Sequence, residues 1–215
     1  AGKTVAGGFS MFYERGFSIG ENPNKFAWGL DIANIGNKIT YTNSDDRDFI
    51  PTHMRTGFAW TTDLDEYNDF TFTIDLNKLL VPTPPHTMKN KTGTDSITKG
   101  EDDKSKSLLE GIFGSFDDAP NGIEEEMREI NYSFGFEYWY SKLFAARAGY
   151  FYEDEYKGNR KYYTIGLGLK YNVFGLDFSY LIPKDQQHPL GETLRFTLSV
   201  NFEKNTVEGL QEEGQ

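Results

Sequence analysis

Three histidines, His53, His86 and His188, are the side chains here whose ordinary pKa suits proton transfer near neutrality. A hydrolase would need one of them beside a serine on a strained strand-to-helix turn, and no such elbow accompanies them. His53 falls at a strand edge, His86 in a proline-rich loop and His188 in the last long loop. There is no cysteine, which removes a thiol nucleophile, a thiolate metal site and a disulfide framework. Asp45-Asp46-Arg47-Asp48 lacks the alternating spacing of a calcium loop, and Glu101-Asp102-Asp103 reads as solvated charge. Gly166 and Gly168 lie inside a strand pattern, so they do not form a dinucleotide-binding turn. The residues therefore predict no catalytic site, no metal and no cofactor.

A second set of charges has a pattern of its own. Asp31, Asp75, Glu137 and Asp177 face Arg55, Arg147, Lys170 and Arg195 in number, four acids to four bases. Each sits between apolar residues in a run that alternates with period 2, the strand signature. One such run is Phe70, Phe72, Ile74, Leu76, with Thr71, Thr73 and Asp75 between. Another is Phe134, Phe136, Tyr138, Tyr140, with Ser133, Gly135, Glu137 and Trp139 between. The rhythm continues through Ile165–Tyr171, Phe174–Tyr180 and Leu194–Phe202. With weaker runs near 5–13, 25–34, 53–62 and 143–152, nine strands are expected. Most would be 9–11 residues long, the length of a tilted strand crossing a bilayer. The eight charges then share one face with glycine, serine and threonine. They form a net-neutral lumen network, since an unpaired charge away from water is costly.

The opposite face holds Phe, Tyr, Leu, Ile, Trp, Met and Val, and no charge within those runs. Its rows begin and end in aromatics, as in Tyr132/Tyr140, Phe144/Tyr152 and Tyr163/Tyr171, which is what two membrane interfaces select. A soluble sheet would instead carry lysine and glutamate on its polar face. Short connections at Asp63–Asn68, Tyr140–Lys142 and Asn172–Phe174 alternate with long ones at Gly36–Thr52, Lys78–Glu129, Glu153–Arg160 and Pro183–Gly191. That is the plan of a transmembrane antiparallel outer-membrane β-barrel with its long loops extracellular. The expected organisation is one domain, barrel strands over 1–202 with an extracellular insert at 78–129, and a periplasmic polar tail at 203–215. Nine is odd, whereas single-chain bacterial barrels have even counts, so N-terminal strands are expected to be missing.

Composition agrees once the faces are separated. The net charge of −11 argues against nucleic acid as a partner. The mean hydropathy of −0.61 reads as soluble, but 18 Phe, 13 Tyr and 3 Trp need a place other than loops. On this reading the aromatics are lipid-facing surface, and the charge is carried by loops and tail.

The insert opens with Leu79-Leu80-Val81-Pro82-Thr83-Pro84-Pro85, whose prolines force an extended path outside any ladder. A polar stretch without periodicity follows, with little reason to order. Leu108, Leu109, Ile112, Phe113 and Phe116 then share one face of a short helix, weakened by Gly111 and Gly114. Asn121 is placed to cap a second helix with Glu124–Glu126 in its first turn. The apolar stripe reads either as a plug packed on the rim or as a docking face for another protein.

Four runs resemble a known family: residues 28–42 (WGLDIANIGNKITYT), 75–84 (DLNKLLVPTP), 166–171 (GLGLKY) and 189–198 (PLGETLRFTL). They are similar to the PorV family of Bacteroidota, outer-membrane barrels of the type IX secretion system within the FadL-like group. The second and fourth runs are the most specific. The resemblance implies that the chain is the C-terminal part of a 14-stranded barrel, an even count. It also implies a non-enzymatic role in protein transport. Such proteins bind the C-terminal signal domain of cargo leaving the translocon barrel. They deliver it to a surface attachment complex that couples cargo to lipopolysaccharide. The alternative is a FadL-type transporter of hydrophobic small molecules, which needs an apolar lumen. Partner contact is expected at Leu108, Leu109, Ile112, Phe113 and Phe116.

Overall fold

The computed structural model describes residues 3–40, 47–89, 95–99, 106–184 and 193–201. In chain order these form β1 (Ala6–Ile19), β2 (Asn22–Gly36), β3 (Ile39–Thr40), β4 (Arg47–Asp48), β5 (His53–Asp63), β6 (Asn68–Leu79), β7 (His86–Lys89) and β8 (Asp95–Lys99). Then follow α1 (Leu108–Gly114), α2 (Ile123–Arg128), β9 (Ile130–Tyr140), β10 (Phe144–Tyr152), β11 (Lys161–Tyr171), β12 (Phe174–Pro183) and β13 (Leu194–Val200). One antiparallel sheet of nine strands runs β1-β2-β5-β6-β9-β10-β11-β12-β13. Every neighbour in the sheet is also the next long strand in sequence. The all-β meander is therefore borne out, and the sheet ends at β1 and β13 among the described residues. No helix among them is long and apolar enough to cross a membrane, which says nothing of crossing by strands.

Short turns gather at one rim. Ser141 and Lys142 both take positive φ, as does Asn172, so these links reverse the chain within three residues or fewer. Gly20 (φ +63) does the same between β1 and β2. That turn was not legible in the sequence. β1 and β2 run to 14 and 15 residues because Glu14, Arg15, Asn22 and Asn24 break the alternation without breaking the ladder.

Register fixes the two faces. Cα partners share a face, and the pairs Asp31↔Arg55, Gly57↔Asp75, Asp75↔Ser133, Glu137↔Arg147, Arg147↔Gly166, Gly168↔Asp177, Ser179↔Arg195 and Lys170↔Gly175 place all eight charges on one side. The other side pairs Phe58↔Ile74, Phe72↔Phe136, Leu167↔Phe178 and Phe178↔Phe196. No element among the described residues covers its middle: Leu167 is 62% and Leu198 69% exposed. Tyr132 and Tyr152 pair at the long-loop end, Tyr140 with Phe144 and Tyr171 with Phe174 at the short-turn end. Eight residues of strand between Tyr132 and Tyr140 span about 26 Å at 3.3 Å each, or about 20 Å of height at a tilt of about 40°. The longer strands do add charges to this face, namely Arg15, Lys78 and Lys161, and all three lie near its ends. Arg15 and Lys161 can reach the interface from there, while Lys78 is buried against Glu126 and Glu129.

The tightest packing is not in the sheet. Leu80 (2% exposed), Ile50, Ile112 and Ala119 are buried together with Thr52, Thr83, Ser115, Lys78 and Glu126 in the connections of the long-loop rim. One expectation fails within this region. The polar stretch after the prolines was expected to lack order, but β7 and β8 pair as a hairpin, and Thr98 Oγ1 donates to the His86 carbonyl at 3.0 Å. β-Branched Thr87, Ile97 and Thr98 supply strand preference that a search for apolar periodicity overlooks. Residues 101–103, His188 and the tail at 203–215 lie outside the described residues, as do Asp45 and Asp46.

Candidate partner-binding rim

The long-loop rim begins where β6 leaves the ladder. Leu80 N donates to the Thr52 carbonyl at 2.8 Å, and Thr52 Oγ1 donates to the Asn34 carbonyl at 2.7 Å. The chain then runs extended through Val81–Pro85. Helix α1 seats on this strap. Ser107 caps it with a reciprocal box, its hydroxyl accepting from Glu110 N while Glu110 Oε2 accepts from Ser107 N at 2.8 Å. Gly111 faces Phe49 and Pro82 so closely that a Cβ would meet the Phe49 ring at 2.7 Å. The glycine that weakens the helix is thus what lets it dock. Helix α2 starts at Gly122 and not at Asn121, which corrects the expected cap. Gly122 has φ +71, and Asn121 N instead donates to Glu125 Oε2 at 3.0 Å.

Four acids and three bases lock these pieces together. Lys78 Nζ, 5% exposed, donates to Glu126 at 2.9 Å and Glu129 at 2.7 Å. Lys157 Nζ donates to Glu125 at 2.8 Å and Glu129 at 2.9 Å. Thr83 Oγ1 completes Glu129 at 2.7 Å, and Ala119 N donates to Glu126 Oε1 at 2.8 Å. Arg160 grips Glu153 through Nε at 2.7 Å and Nη2 at 2.6 Å. Burial of Glu129 raises its pKa, but the bonds from Lys78, Lys157 and Thr83 outweigh it and hold the group below the ordinary 4.5. Glu125 is lowered by its bond to Lys157. Burial lowers the Lys157 pKa, and its two carboxylate partners turn the balance upward, past 10.5. A buried ion pair is costly to desolvate unless its hydrogen bonds are complete, and here they are. The sequence did hold one signal for this network: Lys78 is a cation on the parity of Phe70, Phe72, Ile74 and Leu76.

The expected apolar stripe divides. Ile112 is 9% exposed and Leu108 is half-buried, both turned toward the strap, so the assignment of Ile112 as a free contact is corrected. Leu109 (62%), Phe113 (73%) and Phe116 (47%) face outward. Residues at i and i+4 stay together, but 109 and 113 lie about 100° from 108 and 112 at 3.6 residues per turn, enough to separate a docked edge from a free one. Ile123 and Met127, an i, i+4 pair on α2, are exposed as well and were missed.

The eight lumen-face charges do not form one network. Arg147 bridges Glu137 and Asp177, both at 2.5 Å, and its guanidinium lies 5.5 Å from the centre of the Trp139 ring. Asp31, Arg55 and Asp75 occupy adjacent strands, with Ser10 Oγ donating to Asp31 at 2.6 Å. Lys170 and Arg195 form no ion pair among the described residues.

A strand meander with one apolar, aromatic-bounded face and one polar, charge-bearing face is a transmembrane sheet of the outer-membrane barrel class. Residues 7–86 match the family model described as type IX secretion system protein PorV. The resemblance read from residues 28–42 and 75–84 is thereby borne out across β1 to β6. Over that stretch the sequence is similar to the family of that type IX secretion system protein. The runs at 166–171 and 189–198 fall beyond the match. No curated protein matches the chain.

Proposed function

We propose that this chain is a non-enzymatic shuttle of the type IX secretion system. It receives the C-terminal signal domain of cargo as the cargo leaves the translocon barrel and passes it to the surface attachment complex. The observation that supports this most is the exposure of Leu109 and Phe113 on a helix docked over the long-loop rim, with Phe116 exposed just past its end. Ile123 and Met127 on α2 are exposed apolar residues of the same rim. Exposed apolar groups on a rigid support favour a protein partner, because no ordering cost falls on the receiving side. On this reading the long-loop rim is extracellular, next to outer-leaflet lipopolysaccharide, and the 203–215 tail is periplasmic. Arg147 with Glu137 and Asp177 makes the lumen face a poor path for a hydrophobic small molecule, which weighs against a FadL-type transporter.

The test is co-purification from native outer membranes of the wild type and of a Leu109→Ser, Phe113→Ser, Phe116→Ser variant. Loss of cargo or translocon from the variant, with membrane insertion intact, is expected. Equal recovery of both partners would sink the proposal.

A further inference from the structure

The long-loop rim holds a cleft of about 380 Å³ that is separate from the outward faces of α1 and α2. Its floor is the register pair Asn77↔Asn131, where β6 and β9 meet the rim. One wall is Leu79 and the strap Val81–Pro84, and the other is the β10–β11 loop with Lys157 and Arg160.

Five observations select the ligand. The charges around the cleft cancel in bonded pairs, Glu129 with Lys78 and Lys157, Glu153 with Arg160, so it offers no excess charge to an ion. None of its lining residues is aromatic, which removes the usual platform for a sugar ring. Pro82 and Pro84 have no N–H, so that stretch of wall holds more backbone acceptors than donors. Asn77 Oδ1 is buried and accepts no hydrogen bond among the described residues, a second acceptor in want of a donor. Leu79 and Val81 supply apolar seats beside these polar groups. A chain with regularly spaced N–H donors, no net charge and small apolar side chains fits all five.

We propose that this cleft binds a short, neutral, extended peptide segment through its backbone N–H groups. The source of the peptide, a secreted cargo chain, rests on the shuttle reading above; the chemistry of the cleft does not. Both walls are already held by the ion pairs described, so the site is preformed.

The test is saturation-transfer NMR on the full chain in lipid bilayer discs, with acetyl-Gly-Val-Thr-Val-Gly-amide as probe. The backbone N-methylated form of that peptide, a form with both valines replaced by glutamate, and maltose serve as comparisons. Saturable transfer to the neutral peptide is expected, falling at least fivefold on N-methylation, for the acidic form and for maltose. The same fall is expected in Val81→Trp, which fills the cleft, and in Asn131→Leu, which removes an amide and keeps the wall. Transfer that is absent in the wild type, unchanged in both variants, or stronger for maltose would overturn the proposal. Cargo capture unchanged in the α1 variant, with peptide binding present in the wild type, would overturn the shuttle and leave the cleft standing. The reverse result would overturn the cleft alone.

Discussion

Ile112 and Phe113 are neighbours in sequence with opposite fates, and the contrast tests how the rim is built. Ile112→Ala removes buried methyl groups from the rim and is expected to cost about 2–4 kcal/mol in chemical unfolding. Phe113→Ser removes only exposed surface and should stay within about 0.5 kcal/mol. Lys78→Met leaves Glu126 and Glu129 without their shared cation in a buried setting. It should destabilise by about 3–5 kcal/mol, more than either carboxylate's replacement by glutamine. Equal effects at 112 and 113 would mean that α1 is not docked as described. At this scale the sequence was half legible. The eight lumen-face charges were read correctly as sharing a face, because strand parity alone decides that. Which of them touch was not legible, since Arg147 reaches Asp177 from β10 across β11 to β12, a distance set by side-chain length and twist. The Lys78 network was missed because Glu126 and Glu129 lie 48 and 51 residues further on.

Among the elements, long strands announced themselves and short ones did not. Period-2 alternation over about seven residues or more, weaker in four of the runs, identified every member of the large sheet. The hairpin of β7 and β8 escaped because its strands have four and five residues, too few for a period to show. Helix α1 was predicted from its apolar spacing, but which part of the stripe docks depends on Gly111 meeting Phe49, a contact between segments 62 residues apart. The hold of the rim on α2 depends on pH, and the sign follows from the shifts. Glu125 and Glu129 have depressed pKa values when folded. Their contribution is therefore present above the unfolded value and lost as pH falls through the folded one. Lys157 is raised, so its contribution is full below 10.5 and fades only above that. Amide exchange over residues 108–128, corrected for intrinsic rate, should be flat from about pH 6 to 9 and accelerate below about pH 4.5. Acceleration on the alkaline side of neutrality instead would contradict the assignment.

For the whole molecule, the two faces of the sheet decide where it lives. A mean hydropathy of −0.61 describes loops and lumen together and conceals a continuous apolar surface, because averaging over alternating residues cancels it. The absence of cysteine makes each introduced thiol unique. Fluorophores on Leu167→Cys and Leu198→Cys should be quenched by brominated lipids, while those on Ser179→Cys and Thr197→Cys, on the opposite face, should not. Similar quenching at all four sites would mean that the sheet is not embedded as described. The central claim is that this membrane sheet presents a rim that captures a secreted protein, and direct binding tests it best. A purified C-terminal signal domain of a type IX cargo would be titrated onto the full chain in bilayer discs, alongside the Leu109→Ser, Phe113→Ser, Phe116→Ser variant. The account predicts saturable binding by the wild type, weakened at least tenfold in the variant. No saturable binding by the wild type, or equal affinity for both, would contradict it.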